Sequence, residues 1–152
     1  MNASHWTEQQ IEEQMQNFNA ACRSIGLKLT HQRIEIYRAL LNSIDHPSAE
    51  VLHKRILPGI PTMSLDTVYR TLATLEQYGL IERIQTVESQ ARFEVVFTPH
   101  HHLICSKCKQ IMDFLWPDLD RIVLPPVIDR WGRIDSRTVV MYGVCNQCAE
   151  GS

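Results

Sequence analysis

The sequence contains no apolar run approaching the roughly 18 residues that a membrane span needs, and residues 1–10 are polar, without the apolar core of a secretory signal. The expected location is the cytoplasm, with no membrane partner. Glycine is scarce, six in 152 residues, and no glycine-rich loop of the kind that cradles phosphates occurs. No nucleophile stands in a recognisable constellation with a base. The H-x-E and P-C-x-x-C pattern of zinc deaminases is also missing. These absences leave no catalytic residue to name, so the chain is expected not to be an enzyme and to have no small-molecule substrate. Internal repeats and low-complexity stretches are lacking too.

What is present is a chain that is 44% hydrophobic and 21% charged, sufficient for a packed core. The net charge of −2 hides an uneven distribution. Residues 1–22 carry Glu8, Glu12 and Glu13 and no Lys or Arg. Residues 23–75 carry Arg23, Lys28, Arg33, Arg38, Lys54, Arg55 and Arg70 against four acidic groups. A positive segment in a neutral-to-acidic chain fits a nucleic-acid contact confined to one domain, and equally fits ordinary solvated helix faces.

The first half is helical by period. Ile11, Met15, Phe18, Cys22 and Ile25 make one apolar stripe on a helix ending near Gly26, which reads Cys22 as a small buried hydrophobe. Thr30 is expected to cap a second helix with Ile34, Tyr37, Leu41 and Ile44 inward. His46-Pro47 breaks it, and Ser48 caps a short third helix carrying Leu52 and Ile56. After the turn at 58–61, Ser64 caps a fourth, with Leu65, Val68, Leu72 and Leu75 inward and a stop at Gly79. Beyond it the period changes to strand-like runs at 80–87 and 91–97, split by Glu88-Ser89-Gln90. Helices followed by a two-stranded ribbon make a winged helix-turn-helix. Thr98-Pro99 reads as a hinge. Short strands are expected around 102–105 and 110–114, a helix after Pro117 broken or kinked at Pro125-Pro126, and a strand at 134–142. The fold class is α+β, with a winged helix-turn-helix domain over 1–97 and a smaller domain of short strands and helix over 98–152. The second part is short enough to need a metal or a partner chain for stability.

Four of the five cysteines form two pairs, Cys105-Ser-Lys-Cys108 and Cys145-Asn-Gln-Cys148. In a cytosolic protein such pairs read as metal ligands before disulfides. Zinc in structural sites takes four ligands in a tetrahedron, and two residues between cysteines let both sulfurs of a pair reach one ion. One structural Zn(II) per chain is expected. The 36 residues between Cys108 and Cys145 would tie a β-hairpin to the end of the chain. A redox pair usually sits at a helix N-terminus, and neither pair is expected to.

His100-His101-His102 precedes the first pair. On a strand alternate residues share a face, so His100 and His102 form an H-x-H chelate and His101 points away. Imidazole with carboxylate suits Fe(II), Mn(II), Zn(II) or Ni(II) rather than a soft metal. Candidate partners are Glu94, Asp113 and His46. On the fourth helix Asp66, Tyr69, Arg70, Ala73 and Gln77 face away from the apolar stripe. Arg70 suits guanine in the major groove, and Tyr69 a thymine methyl or a phosphate. Ser64, Thr67 and the helix N-terminus suit phosphate, and Lys28 and Arg33 the backbone or minor groove.

These pieces together resemble the ferric uptake regulator (Fur) family over nearly the whole chain. The resemblance is carried by Gly26-Leu-Lys-Leu-Thr-His-Gln-Arg33, His46-Pro-Ser-Ala-Glu50, Ser64-Leu-Asp-Thr-Val-Tyr-Arg-Thr-Leu72, His100-His-His-Leu-Ile-Cys-Ser-Lys-Cys108 and Tyr142-Gly-Val-Cys-Asn-Gln-Cys148. It implies a homodimer on a palindromic operator, with a winged-helix DNA-binding domain over 1–97 and an α/β dimerisation and zinc-binding domain over 98–152, a structural zinc on the four paired cysteines, and a regulatory metal in the hinge bound by His46, Glu94, His100, His102 and Asp113. Iron-responsive members often carry a further site; here Pro99, His101 and Arg137 stand at its positions, so that site looks absent. A single site with Asp113 resembles the peroxide-sensing members. In those, bound Fe(II) reacts with hydrogen peroxide, a histidine ligand is oxidised, and metal and DNA are released. Two positions depart from them: Glu94 stands where they more often have Asp, and Arg70 is typical of iron-type recognition helices. The resemblance thus implies a peroxide-sensing repressor using Fe(II) or Mn(II), with an iron- or zinc-responsive uptake regulator as the alternative. Two other classes compete, a metalloenzyme with an open His and carboxylate site and a zinc-stapled protein adaptor. Metal-dependent binding to a palindrome separates the first class from both.

Overall fold

A computed structural model describes residues 6–86, 90–95 and 100–151. Val87-Glu88-Ser89, the strand end expected at 96–97 and the hinge expected at Thr98-Pro99 lie outside the described residues. The chain divides into two compact units, residues 2–97 and 98–152.

In the N-terminal unit each helix starts where a hydroxyl supplies a cap. α1 (Glu8–Ile25) begins at Thr7, whose side chain accepts from Gln10 N–H while the Gln10 side chain accepts from Thr7 N–H, so two orphan donors are satisfied reciprocally. It ends at Gly26, whose φ of 76° is left-handed and lets Leu27 N–H reach back to Cys22 C=O. α2 (His31–Leu41), α3 (Ala49–Ile56) and α4 (Leu65–Gln77) are capped by the side chains of Thr30, Ser48 and Ser64, each replacement by Ala costing about 1 kcal/mol. Met15, Phe18 and Cys22 of α1 are buried against α2, with Phe18 stacked on Tyr37 at 3.9 Å between ring centroids. Three members of the expected stripes fall outside the core, among them Leu65, half-buried at the first position of α4. Ile25 is exposed at the last turn of α1, and Ile44 is exposed because α2 ends three residues before it at the Asn42 cap. Tyr37 and Leu41 are buried as expected, and Ile36 and Leu40 are buried beside them. α3 packs on both α2 and α4. From α4, Val68, Leu72 and Leu75 enter the core completely, each contributing about 1.5–3 kcal/mol on burial. β1 (Ile81–Ile84) and β2 (Arg92–Val95) pair antiparallel, Ile81 opposite Val95, completing a winged helix-turn-helix.

The C-terminal unit is built on a three-stranded sheet of order β4-β3-β5. β3 (His101–Cys105) pairs antiparallel with β4 (Ile111–Phe114) and parallel with β5 (Val140–Gly143). Two expectations are corrected here. The helix that starts at Pro117 is a five-residue 3-10 helix, Pro117–Arg121, and not an α-helix running on to Pro125. Pro126, expected to break a helix, opens α5 (Pro126–Trp131) at its first position, where a missing N–H loses nothing. The strand expected at 134–142 is confined to Val140–Gly143 because its preceding residues are otherwise engaged. The Arg137 guanidinium donates to the carbonyls of Leu119 and Ile122, and Val139 N–H donates to His101 Nδ1 rather than to a strand partner. A last short helix, α6 (Asn146–Glu150), ends the chain. Among the described residues this unit buries few apolar side chains, chiefly Ile104, Ile111 and Leu119, while Val123, Trp131, Val127 and Leu115 are more than half exposed.

Candidate metal centres and nucleic-acid interface

The β3–β4 hairpin turn carries Cys105 and Cys108, and the parallel pairing of β5 with β3 brings Cys145 and Cys148 beside them. One sulfur from each lies within 4.8 Å of every other, and the sulfurs of Cys108 and Cys145 are 3.8 Å apart. Cys105 Sγ accepts from the backbone N–H groups of Cys108 and Cys145 at 3.5 and 3.4 Å. These two amides hold its thiol down to about 5, whereas the hydrogen bond to Cys145 pushes Cys148 up to about 12. A metal ion binds such sulfurs as thiolates, so its binding releases the protons that remain on them. Four converging sulfurs with amide support fit a tetrahedral zinc ion. The expectation that neither pair sits at a helix N-terminus is corrected by Cys145, which is the N-cap residue of α6. The approach of all four sulfurs still favours metal over redox exchange.

The second group of candidate ligands draws residues from each unit. In the N-terminal unit His46, in the loop between α2 and α3, meets Glu94 of β2 with Nε2 to Oε2 at 2.8 Å, both side chains more than 90% buried. In the C-terminal unit His102 of β3 stands opposite Asp113 of β4 in the strand register. The Asp113 carboxylate spans two imidazoles, at 2.9 Å from His102 Nδ1 and 3.8 Å from His100 Nε2, and the two rings meet edge to face at 4.9 Å. His101 turns to the opposite face, against Phe114. Burying imidazole with carboxylate is costly unless the groups compensate each other or a bound ion. Nitrogen and oxygen donors of this kind fit Fe(II), Mn(II) or Zn(II).

On α4, Tyr69 and Arg70 are exposed, and both are held within the protein. The Tyr69 hydroxyl donates to the Glu50 carboxylate of α3, and Arg70 Nε pairs with Asp66 Oδ2 one turn earlier at 2.9 Å. Ser64 Oγ, as well as capping α4, lies 2.8 Å from Thr67 Oγ1. Arg33, opposite the start of α4, donates to Lys28 C=O at 2.6 Å, so its guanidinium pins the segment that leads into α2. Asp66 was legible as an i,i+4 partner of Arg70. Glu50 carried no signal, because it lies 19 residues from Tyr69 and only α3–α4 packing joins them. The phenol holds the Glu50 carboxyl below its ordinary value, and the carboxylate in turn raises the phenol. Tyr69→Phe is therefore expected to raise the Glu50 pKa toward the ordinary carboxylate value, read by NMR titration. Stability should change by less than about 1 kcal/mol because both groups are exposed. An unmoved Glu50 titration would mean that the two side chains do not meet in solution.

A model of the ferric uptake regulator family matches residues 24–127. The chain belongs to the ferric uptake regulator family. It is 31% identical to the peroxide-responsive repressor PerR of Staphylococcus epidermidis over 142 residues, covering 92% of this chain and 93% of that one. To the peroxide operon regulator of Bacillus subtilis it is also 31% identical, over 84% of this chain and 88% of the relative. Among solved structures, the Helicobacter pylori Fur, with three functional metal binding sites, superposes with a TM-score of 0.73 at 26% identity, covering 91% and 93% of the two chains. A zinc-bound manganese uptake regulator gives 0.63 at 29% identity, covering 84% and 97%. The named relatives are repressors and regulators. Among the described residues no helix is long and apolar enough to cross a membrane.

Proposed function

We propose that this Fur-family chain is a metal-dependent transcriptional repressor that binds a palindromic operator as a homodimer and responds to peroxide. The observation that carries the metal-sensing part is the pair of buried His and carboxylate groups, His46 with Glu94 and His100 and His102 with Asp113, chemically separate from the four-cysteine cluster. The cysteines would hold structural Zn(II). The five N and O ligands would hold one regulatory ion, Fe(II) or Mn(II), with Zn(II) as the alternative. The apolar side chains left exposed by the C-terminal unit, Trp131 and Val123 among them, support a partner chain, because a monomer rarely leaves so much apolar surface in water.

His46 and Glu94 belong to the unit that carries α4, and the other three ligands to the unit with the exposed apolar surface. Ligands drawn from both units favour the arrangement in which all five converge. That arrangement sets the separation of two α4 helices across a two-fold operator. On α4, Tyr69 and Arg70 read bases, while Ser64 and Thr67, with Lys28 and Arg33, take phosphates. Their present carboxylate partners, Glu50 and Asp66, orient the reading groups before DNA arrives.

The peroxide reading is supported by the relatives from Staphylococcus epidermidis and Bacillus subtilis. When bound, Fe(II) supplies the one-electron chemistry by which hydrogen peroxide places oxygen on an adjacent imidazole, which Mn(II) does not. Protein loaded with Fe(II) should release operator DNA after peroxide, with one oxygen gained on the peptide holding His100–His102, and Mn(II) protein should stay bound and unmodified. Retention of DNA by the Fe(II) form with an unmodified peptide would favour the second reading, an iron- or zinc-responsive uptake regulator. Glu94 and Arg70 favour that reading, as does the likeness to the Helicobacter pylori Fur and the zinc-bound manganese uptake regulator.

A further inference from the structure

His46 is one of only two non-glycine residues with positive φ among the described residues, at 49°. An L-residue in this left-handed region is disfavoured against its ordinary conformations, so something must hold it there. The holding group is on β2. Arg92 donates from Nε to the His46 carbonyl and from its second terminal nitrogen to the Asp45 carbonyl at 2.6 Å. Arg92 and Glu94 are two apart on one strand and share a face. That face therefore grips His46 twice, its main chain through Arg92 and its imidazole through Glu94. Phe93 N–H, between them, donates to Pro47 C=O at 3.0 Å. The loop is anchored from its other side by Arg55 of α3, whose guanidinium takes both Asp45 carboxylate oxygens at 2.8 and 2.5 Å.

We infer that Arg92 is a positioning residue for the regulatory ion: it holds His46 in its left-handed conformation so that the imidazole is already aimed beside the Glu94 carboxylate. The inference rests on the assignment of His46 and Glu94 as ligands. It carries an opposite sign from the obvious electrostatic expectation. A bystander guanidinium beside a cation site repels the ion, so its removal would tighten binding. A positioning guanidinium stabilises the competent loop, so its removal lowers the fraction of chains ready to bind and weakens the apparent affinity by that fraction.

The test is Mn(II) affinity of the zinc-loaded full chain, measured by the paramagnetic signal of free Mn(II), alongside hydrogen exchange at the Phe93 amide in protein without Mn(II). Arg92→Met keeps the aliphatic stem and removes the donors. It should weaken Mn(II) binding about tenfold and speed Phe93 exchange, with zinc content unchanged. Arg92→Lys, which still donates to carbonyls, should recover most of the affinity; a merely structural role in the wing would not make ion affinity follow the donors. Should the Met variant fail to fold, Arg92→Gln, with one donating group, should show an intermediate loss of roughly threefold. Unchanged or tighter Mn(II) binding in the Met or Gln variant overturns the inference. His46→Ala separates the two levels. If it loses Mn(II) while Arg92→Met does not, only the positioning role falls; if it binds Mn(II) normally, the ligand assignment falls and the inference with it.

Discussion

Cys108→Ser is expected to unfold the C-terminal unit while the N-terminal unit stays folded. The reason lies in where each unit draws its stability. The N-terminal unit has a contiguous core running from Met15 to Val95 through all four of its helices. The C-terminal unit buries little beyond Ile104, Ile111 and Leu119, and its β5 is tied to β3 chiefly through four backbone pairs and the cysteine cluster. A structural zinc on thiolates contributes about 10–16 kcal/mol of binding energy that appears as folding energy. That exceeds or equals the roughly 5–15 kcal/mol total stability of an ordinary domain. Cys108 is exposed, so the serine itself creates no cavity, and any effect reports the ion. Amide NMR spectra of the variant should lose dispersion for residues 100–151 and keep it for 6–86, with zinc absent by elemental analysis; a chelator applied to the native chain should reproduce this. Dispersed C-terminal resonances in zinc-free protein would show that the sulfurs hold each other without an ion.

His100→Ala should have the opposite profile, a folded zinc-containing protein that no longer binds operator in response to Mn(II) or Fe(II). His100 precedes β3 rather than lying within it, so its loss removes no strand pairing, whereas His102 is 1% exposed inside the sheet and its replacement would leave a cavity. Even an outer-shell partner of a metal ligand is worth about 10–100-fold in metal affinity, so a ligand itself should be worth more than about a hundredfold. Operator binding, measured by fluorescence anisotropy against Mn(II) concentration, should show no activation within the range that saturates the native protein. Normal activation would remove His100 from the ligand set. Loss of zinc or of folded structure would mean that the histidine and cysteine groups form one site, not two.

The elements that matched expectation are those whose signals are local. Thr30, Ser48 and Ser64 cap helices because a hydroxyl three residues before an orphan N–H is enough, whatever lies elsewhere. The alternation of His100, His101 and His102 follows from the pleat of one strand. The misreadings share the opposite cause. Ile44 continues an apolar pattern that the backbone has already left at Asn42. Residues 134–139 have strand character, yet Arg137 and Val139 are claimed by the carbonyls of Leu119 and Ile122 and by the His101 ring. Cys145 occupies the N-cap position of α6 without a side-chain cap hydrogen bond, so no residue type announces that helix start.

What the sequence by itself determined is the chemistry available: four thiols in two pairs, imidazoles and carboxylates at strand spacing, and a capped helix with Tyr69 and Arg70 outward. Composition and short-range periodicity settle such things because side-chain identity and local backbone geometry do not depend on distant residues. What only the tertiary structure decided is which of these groups meet. Glu50 reaches Tyr69 through α3–α4 packing, Asp113 comes opposite His102 through strand register, and Arg92 takes the His46 carbonyl across 46 residues of chain. Those contacts exist because burial of the core fixes the elements against one another, and that depends on the whole apolar pattern at once rather than on any stretch of it.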